Sequence, residues 1–270
     1  MRCAVPLSLV VIVALIAFAG TAGATVLYDG SSGTPGLQGW LYLTDPLAGA
    51  LATETFGAGV TTLDTTPDLD DGQTPEDEDM DDKAGYFSSF HPSVPTMDRN
   101  TGYTVRFDVQ VPTENHVNGD RSGFSLIALG HDSLGVELSF WEDEIWAKSD
   151  TFLHAEGQPW DTTAGLTQYE LRVFGDDYSL WTGTQSILSG SLKDYSWFGV
   201  PYDQTDFLFL GDNTTTAEAI LNLSYVEVTT GRPTPEPSTL VLAAIGGVGC
   251  LLWYGRRRRQ DRSYSNCKRE

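Results

Sequence analysis

Residues 25–234 contain no cysteine, because Cys3, Cys250 and Cys267 all lie near the chain ends. That absence excludes a disulfide framework. A stretch of roughly 200 residues can bury a core large enough to do without one. Basic residues are also scarce, with 16 Lys and Arg against 37 Asp and Glu and a net charge of −21. Arg2, Arg256, Arg257, Arg258, Arg259, Arg262, Lys268 and Arg269 fall outside 25–234, which leaves eight basic against 34 acidic residues there, net −26. Such a surface repels nucleic acid and anionic lipid and suits solubility or cation binding. No amphipathic helix of three turns stands out, and neither a Gly-x-Ser-x-Gly elbow nor a phosphate loop is present. His91, His116, His131 and His154 are scattered without metal-ligand spacing.

Long apolar runs occur only at the two ends. At the N-terminus, Arg2 precedes an apolar stretch over 7–19 and the small residues Ala22, Gly23 and Ala24. This order predicts a secretory signal peptide over 1–24, handled by the secretion translocon and cleaved after Ala24. At the C-terminus, Pro235, Glu236, Pro237 and Ser238 precede a run over 239–255 without a charged side chain, then Arg256, Arg257, Arg258 and Arg259. Roughly 17 to 25 apolar residues cross a bilayer core as a helix, so the run predicts one transmembrane helix. Trp253 and Tyr254 end it where aromatic rings favour the interface, and the arginines hold 260–270 in the cytoplasm. The two prolines keep the preceding segment extended, a form that a processing enzyme can grip.

Pro-Glu-Pro, an apolar span and an arginine block, in that order near the C-terminus, resemble the PEP-CTERM sorting signal of exported bacterial proteins. The resemblance covers 235–259, about a tenth of the chain, within a segment 231–259. It implies an exosortase as processing partner, inner-membrane anchoring before processing, and delivery to the cell surface or an exopolysaccharide or biofilm matrix. The eleven residues from Gln260 to Glu270 depart from the pattern, because such signals usually end almost at the arginines.

Between the ends the pattern is that of strands. Tyr103, Val105, Phe107, Val109 and Val111 alternate with Thr104, Arg106, Asp108 and Gln110, a period of two. The stretches 124–129, 136–140, 169–173 and 178–182 continue it, and the apolar run 207–210 predicts a strand buried on both faces. Ala219, Leu221, Leu223 and Tyr225 lose phase at Val226 and Val228, which predicts a bulge. Turn residues separate these runs, so the expected fold is all-β, a two-sheet sandwich or jelly roll over 25–230. The stretches 102–107 (GYTVRF), 121–124 (RSGF), 136–141 (VELSFW) and 169–173 (YELRV) loosely resemble concanavalin A-like, laminin G-like jelly rolls. That resemblance implies a fold and leaves function open.

Three sets of residues are candidates for chemistry. The acidic segment 61–83 includes Asp68, Asp70, Asp79 and Asp81, an oxygen-rich group that could hold calcium, although its spacing completes no calcium loop. A solvated acidic loop without a cofactor is the plainer expectation. Trp146 and Trp160, near Glu144, Gln158 and Asp161, are candidates for stacking on sugar faces. Glu142, Asp143 and Glu144 invite comparison with laminarinase-like glycoside hydrolases, whose paired carboxylates sit about 5 Å apart. Trp141 and Ile145–Trp146 flank these acids as strand ends would, which predicts a hairpin tip instead. The expectation is therefore a non-enzymatic surface or matrix protein that binds extracellular polysaccharide or is purely structural, with glycoside hydrolysis as the alternative.

Overall fold

The computed structural model describes residues 23–44, 52–67 and 83–233. Their strands are β1 (Gly23–Asp29), β2 (Leu41–Thr44), β3 (Thr53–Gly57), β4 (Val60–Asp64), β5 (Ala84–Phe87), β6 (Tyr103–His116), β7 (Ser125–Leu129) and β8 (Leu134–Phe140). They continue with β9 (Glu144–Lys148), β10 (His154–Pro159), β11 (Thr167–Phe174), β12 (Asp177–Thr182), β13 (Gln185–Ser191), β14 (Lys193–Asp194), β15 (Phe207–Asp212) and β16 (Ala217–Thr230). The helical pieces among the described residues are three short 3-10 turns, so the all-β expectation holds. None is long and apolar enough to cross a membrane, and the span expected over 239–255 lies outside the described residues.

Two antiparallel eight-stranded sheets form a sandwich. The first runs β13-β12-β11-β6-β16-β4-β3, with β1 also on β16. The second runs β10-β9-β8-β7-β15-β5-β2, with β14 on β8. The alternation read over 103–111 is the inward and outward alternation of β6, whose Tyr103, Val105, Phe107, Val109 and Val111 are all buried. Burying a side chain of this size contributes about 1.5–3 kcal/mol, enough to set the register of the whole strand.

β16 carries the expected bulge. Its register against β6 slips between Leu223 and Tyr225. On its other edge, Ile220–Leu223 pair with β4 and Tyr225–Thr230 pair with β1. The slip thus falls where β16 changes partner. Gly30 follows β1 at that junction, and a Cβ there would sit 1.9 Å from the Gly59 carbonyl oxygen and 3.0 Å from that of Ser224. Only glycine lets the three backbones approach so closely.

The centre of the second sheet is buried on both faces. Leu126, Ala128, Leu138, Leu208 and Leu210 point into the sandwich core. Ile127, Leu129, Phe207 and Phe209 point the other way and form a second apolar cluster with Tyr195 and Tyr202. Those tyrosines belong to the segment 192–206, which therefore covers the outer face. This explains the uninterrupted apolar run at 207–210, since β15 is buried at every position.

Candidate functional site

The hairpin joining β8 to β9 organises the first candidate site. The Trp141 N–H donates to the Glu144 carbonyl at 2.8 Å, so residues 141–144 turn as the expected tip. Two of the three acids then go to different partners. Glu142 Oε1 accepts from the Glu114 backbone N–H at 3.1 Å, whereas Glu144 Oε1 lies 3.4 Å from His154 Nε2. Beside the tip, Glu142, Asp143, Pro159, Trp160, Asp161 and Thr163 line an open groove of about 610 Å³. Trp160 is half-buried, and its indole N–H donates to the Tyr169 hydroxyl at 3.2 Å.

The two tryptophan candidates part company here. Trp146 is completely buried, which corrects its assignment as a sugar-stacking platform. One of its faces stacks on His154 at 4.3 Å and 13°, and Trp141 meets it edge to face at 5.4 Å. No face remains for a ligand. Trp160 stays at the groove, with acidic side chains at hand to accept from hydroxyls.

A cluster that sequence reading missed lies behind the hairpin. His116 stacks on Trp141 at 4.2 Å and 8°, so the two histidines read as scattered flank a pair of tryptophans. His116 Nδ1 lies 2.9 Å from Glu114 Oε2, and Glu114 Oε1 accepts from the Gly123 N–H at 3.2 Å. Burial pushes the Glu114 carboxyl up to about 7, against the opposing pull of His116. Glu114 and His116 are two residues apart on β6 and so share a face. That spacing was the available signal; the approach of His154 had none.

The second polar centre is wholly internal. On the outer face of the second sheet, Lys148 Nζ meets Glu137 Oε1 at 2.7 Å, with both side chains almost completely buried. The Tyr202 hydroxyl donates to Glu137 Oε2 at 2.7 Å, and Asn213 Nδ2 donates to Glu137 Oε1 at 3.0 Å. Burial alone would raise the Glu137 carboxyl, but the Lys148 ammonium and these bonds outweigh it and hold it below its ordinary value. Nearby, burial drives the Asp212 carboxyl well up, with Thr65 and the Thr214 N–H as its hydrogen-bond partners.

Other candidates lie elsewhere. Asp68, Asp70, Asp79 and Asp81 lie outside the described residues, as do Ala22, Pro235, Glu236, Pro237, Ser238, Arg256, Arg257, Arg258 and Arg259. Ala24 lies in β1 opposite Thr229. No group of three or more potential metal ligands occurs among the described residues.

Residues 233–259 match the PEP-CTERM protein-sorting motif. No curated protein matches the sequence. Among solved structures, the chain is similar to the carbohydrate esterase vb_24B_21 of the Shiga toxin-encoding bacteriophage phi24B, at 14% identity and a TM-score of 0.49, over 77% of this chain and 100% of that one. It is similar to a galectin-like protein of unknown function from Bacillus subtilis, at 11% identity and a TM-score of 0.45, over 79% and 98%. It is also similar to lectin I-B4 from Griffonia simplicifolia, at 12% identity and a TM-score of 0.44, over 77% and 99%. The fold assignment rests on the two sheets themselves. The chain carries a PEP-CTERM protein-sorting motif behind an all-β sandwich.

Proposed function

We propose that this chain is an exported precursor, anchored at the inner membrane through 239–255 and processed by an exosortase. Processing delivers a non-catalytic sandwich to the cell surface or the exopolysaccharide matrix, where the Trp160 groove binds polysaccharide. The observation that carries the reading is where the motif sits: it spans 233–259, and the last described strand ends at Thr230. Loss of the motif therefore removes no described strand. Support for the glycan part is the half-buried Trp160 with Asp143 and Asp161 around it, an apolar ring with acceptors for sugar hydroxyls.

Replacing Pro235, Glu236 and Pro237 by Ala should leave a full-length, membrane-bound product in cells with an exosortase, read by mass spectrometry of the fractions. Processing that continued unchanged would refute the sorting assignment. On a glycan array, Trp160→Ala should abolish binding, while Trp146→Ala should act only through stability. Glycoside hydrolysis is the second reading, favoured by the carboxylates of Glu142 and Asp143 at the groove. Release of reducing sugar from β-glucans, lost on Glu142→Gln or Glu144→Gln, would establish it.

A further inference from the structure

The outer face of the second sheet holds a cavity of about 250 Å³ that the groove reading does not use. Its floor is a cross-strand row in which Ile127 opposes Phe209 and Phe209 opposes Phe87. Phe152, Phe198, Pro201 and Tyr202 wall it, and Arg121, Lys148, Asn213 and Thr214 supply its polar edge. Phe152 has a φ of 59°, a conformation that costs a bulky side chain energy and that here accompanies a ring placed against the cavity.

One polar group at this cavity is uncommitted. Asn213 Nδ2 donates to Glu137 Oε1 and to the Tyr202 hydroxyl oxygen at 3.1 Å. Asn213 Oδ1 is buried out of reach of solvent, so it is not offered to the cavity. Arg121 uses Nη1 on the carbonyls of Asp120 and Phe152, and its other nitrogens bond to none of the described residues. Arg99, Arg106, Lys148, Arg172 and Lys193 each bind a carboxylate. Among the described residues Arg121 binds none, although acids outnumber bases about fourfold over 25–234.

The cavity therefore offers aromatic walls for one ring and a guanidinium for one anion. An apolar cavity of about 150 Å³ already accepts benzene, so this one has room for a substituted ring. A sugar ring fits poorly, because each hydroxyl desolvated without a partner costs about 1–3 kcal/mol and the walls are mostly apolar. We propose that this pocket binds a small aromatic acid, with its carboxylate on Arg121 and its ring against Phe152, Phe198 and Phe209.

Calorimetric titration of the full-length protein with benzoate tests this. Saturable binding at one site per chain is expected, weakened about tenfold or more for acetate, which lacks the ring. Arg121→Met should weaken it about tenfold or more, as should replacing the acid by benzyl alcohol, and Arg121→Lys should restore part of the loss. Phe198→Ala, at an exposed position, should weaken binding while leaving the unfolding transition unchanged. The proposal is overturned by absent saturation, by equal binding of all three probes, by Arg121→Met binding like the parent, or by methyl glucuronide binding more tightly than benzoate.

Discussion

The two sheets treat their outer faces in opposite ways. On the first sheet, Arg106 reaches Glu170 at 2.8 Å and Glu227 at 3.1 Å, and Arg172 holds the other oxygen of Glu170; apart from the buried Glu227, all are partly open to solvent. On the second, Lys148 and Glu137 form an ion pair sealed from solvent beneath the segment 192–206. Similar charges at similar distances thus sit in different dielectrics. Water already solvates the first set, so its pairing contributes little. The second has given up that solvation and depends on its partners. A sheet that buries charge on its outer face gains the polar fittings of a pocket, at the risk of a large loss when one partner is removed.

The sharpest way to break this comparison is Lys148→Met. It leaves the Glu137 carboxylate buried without its cation, so unfolding free energy should fall by about 3–5 kcal/mol in a denaturant titration. Adding Glu137→Gln should recover part of that loss. A loss below 1 kcal/mol would put both ion networks in one class.

The pH profile separates the buried acids by sign. The folded Glu114 carboxyl, at about 7, keeps its proton to higher pH than the unfolded one, whose ordinary value is 4.5. Between those values the folded state binds more protons, so stability from this group is complete below 4.5 and lost as pH rises through 7. The loss is on the order of 3 kcal/mol, and Asp212 shifts in the same direction. Glu137 has the opposite sign, because its folded carboxyl lies below 4.5. Its stabilisation is present above 4.5 and lost as pH falls through that lower folded value. Stability should therefore peak in mild acid, and Glu114→Gln should make the neutral limb shallower, leaving the share that Asp212 contributes. A limb unchanged in that variant would assign it elsewhere.

The smallest effect belongs to the first sheet. Arg106→Gln should cost less than about 1 kcal/mol and should shrink further in high salt. A larger, salt-insensitive loss would show that its partly open network behaves as a buried one.

Legibility from sequence follows the same division. β6 was readable because one of its faces is wet, so burial prints an alternation on the residues. The run at 207–210 was readable as doubly buried, and the bulge in β16 as a loss of phase. β1 to β5 gave little signal, being short and rich in Thr and Gly, with edges determined by distant partners. Trp146 and Trp160 looked equivalent as candidates. Their difference arises from the stacking of His154 and Trp141 on one and from the groove beside the other, and no local pattern encodes either.

The sequence by itself determined the all-β class, the phase of the long strands, the acidic surface and the sorting motif. Each depends on residue type at short spacing, which the chain carries directly. Only the tertiary structure decided that Glu137 meets Lys148, that His116 and His154 flank two tryptophans, and that Arg121 stands at an aromatic cavity, bonded to no carboxylate among the described residues. Those contacts join residues from different strands and loops, so they exist only once register and sheet order bring the strands together.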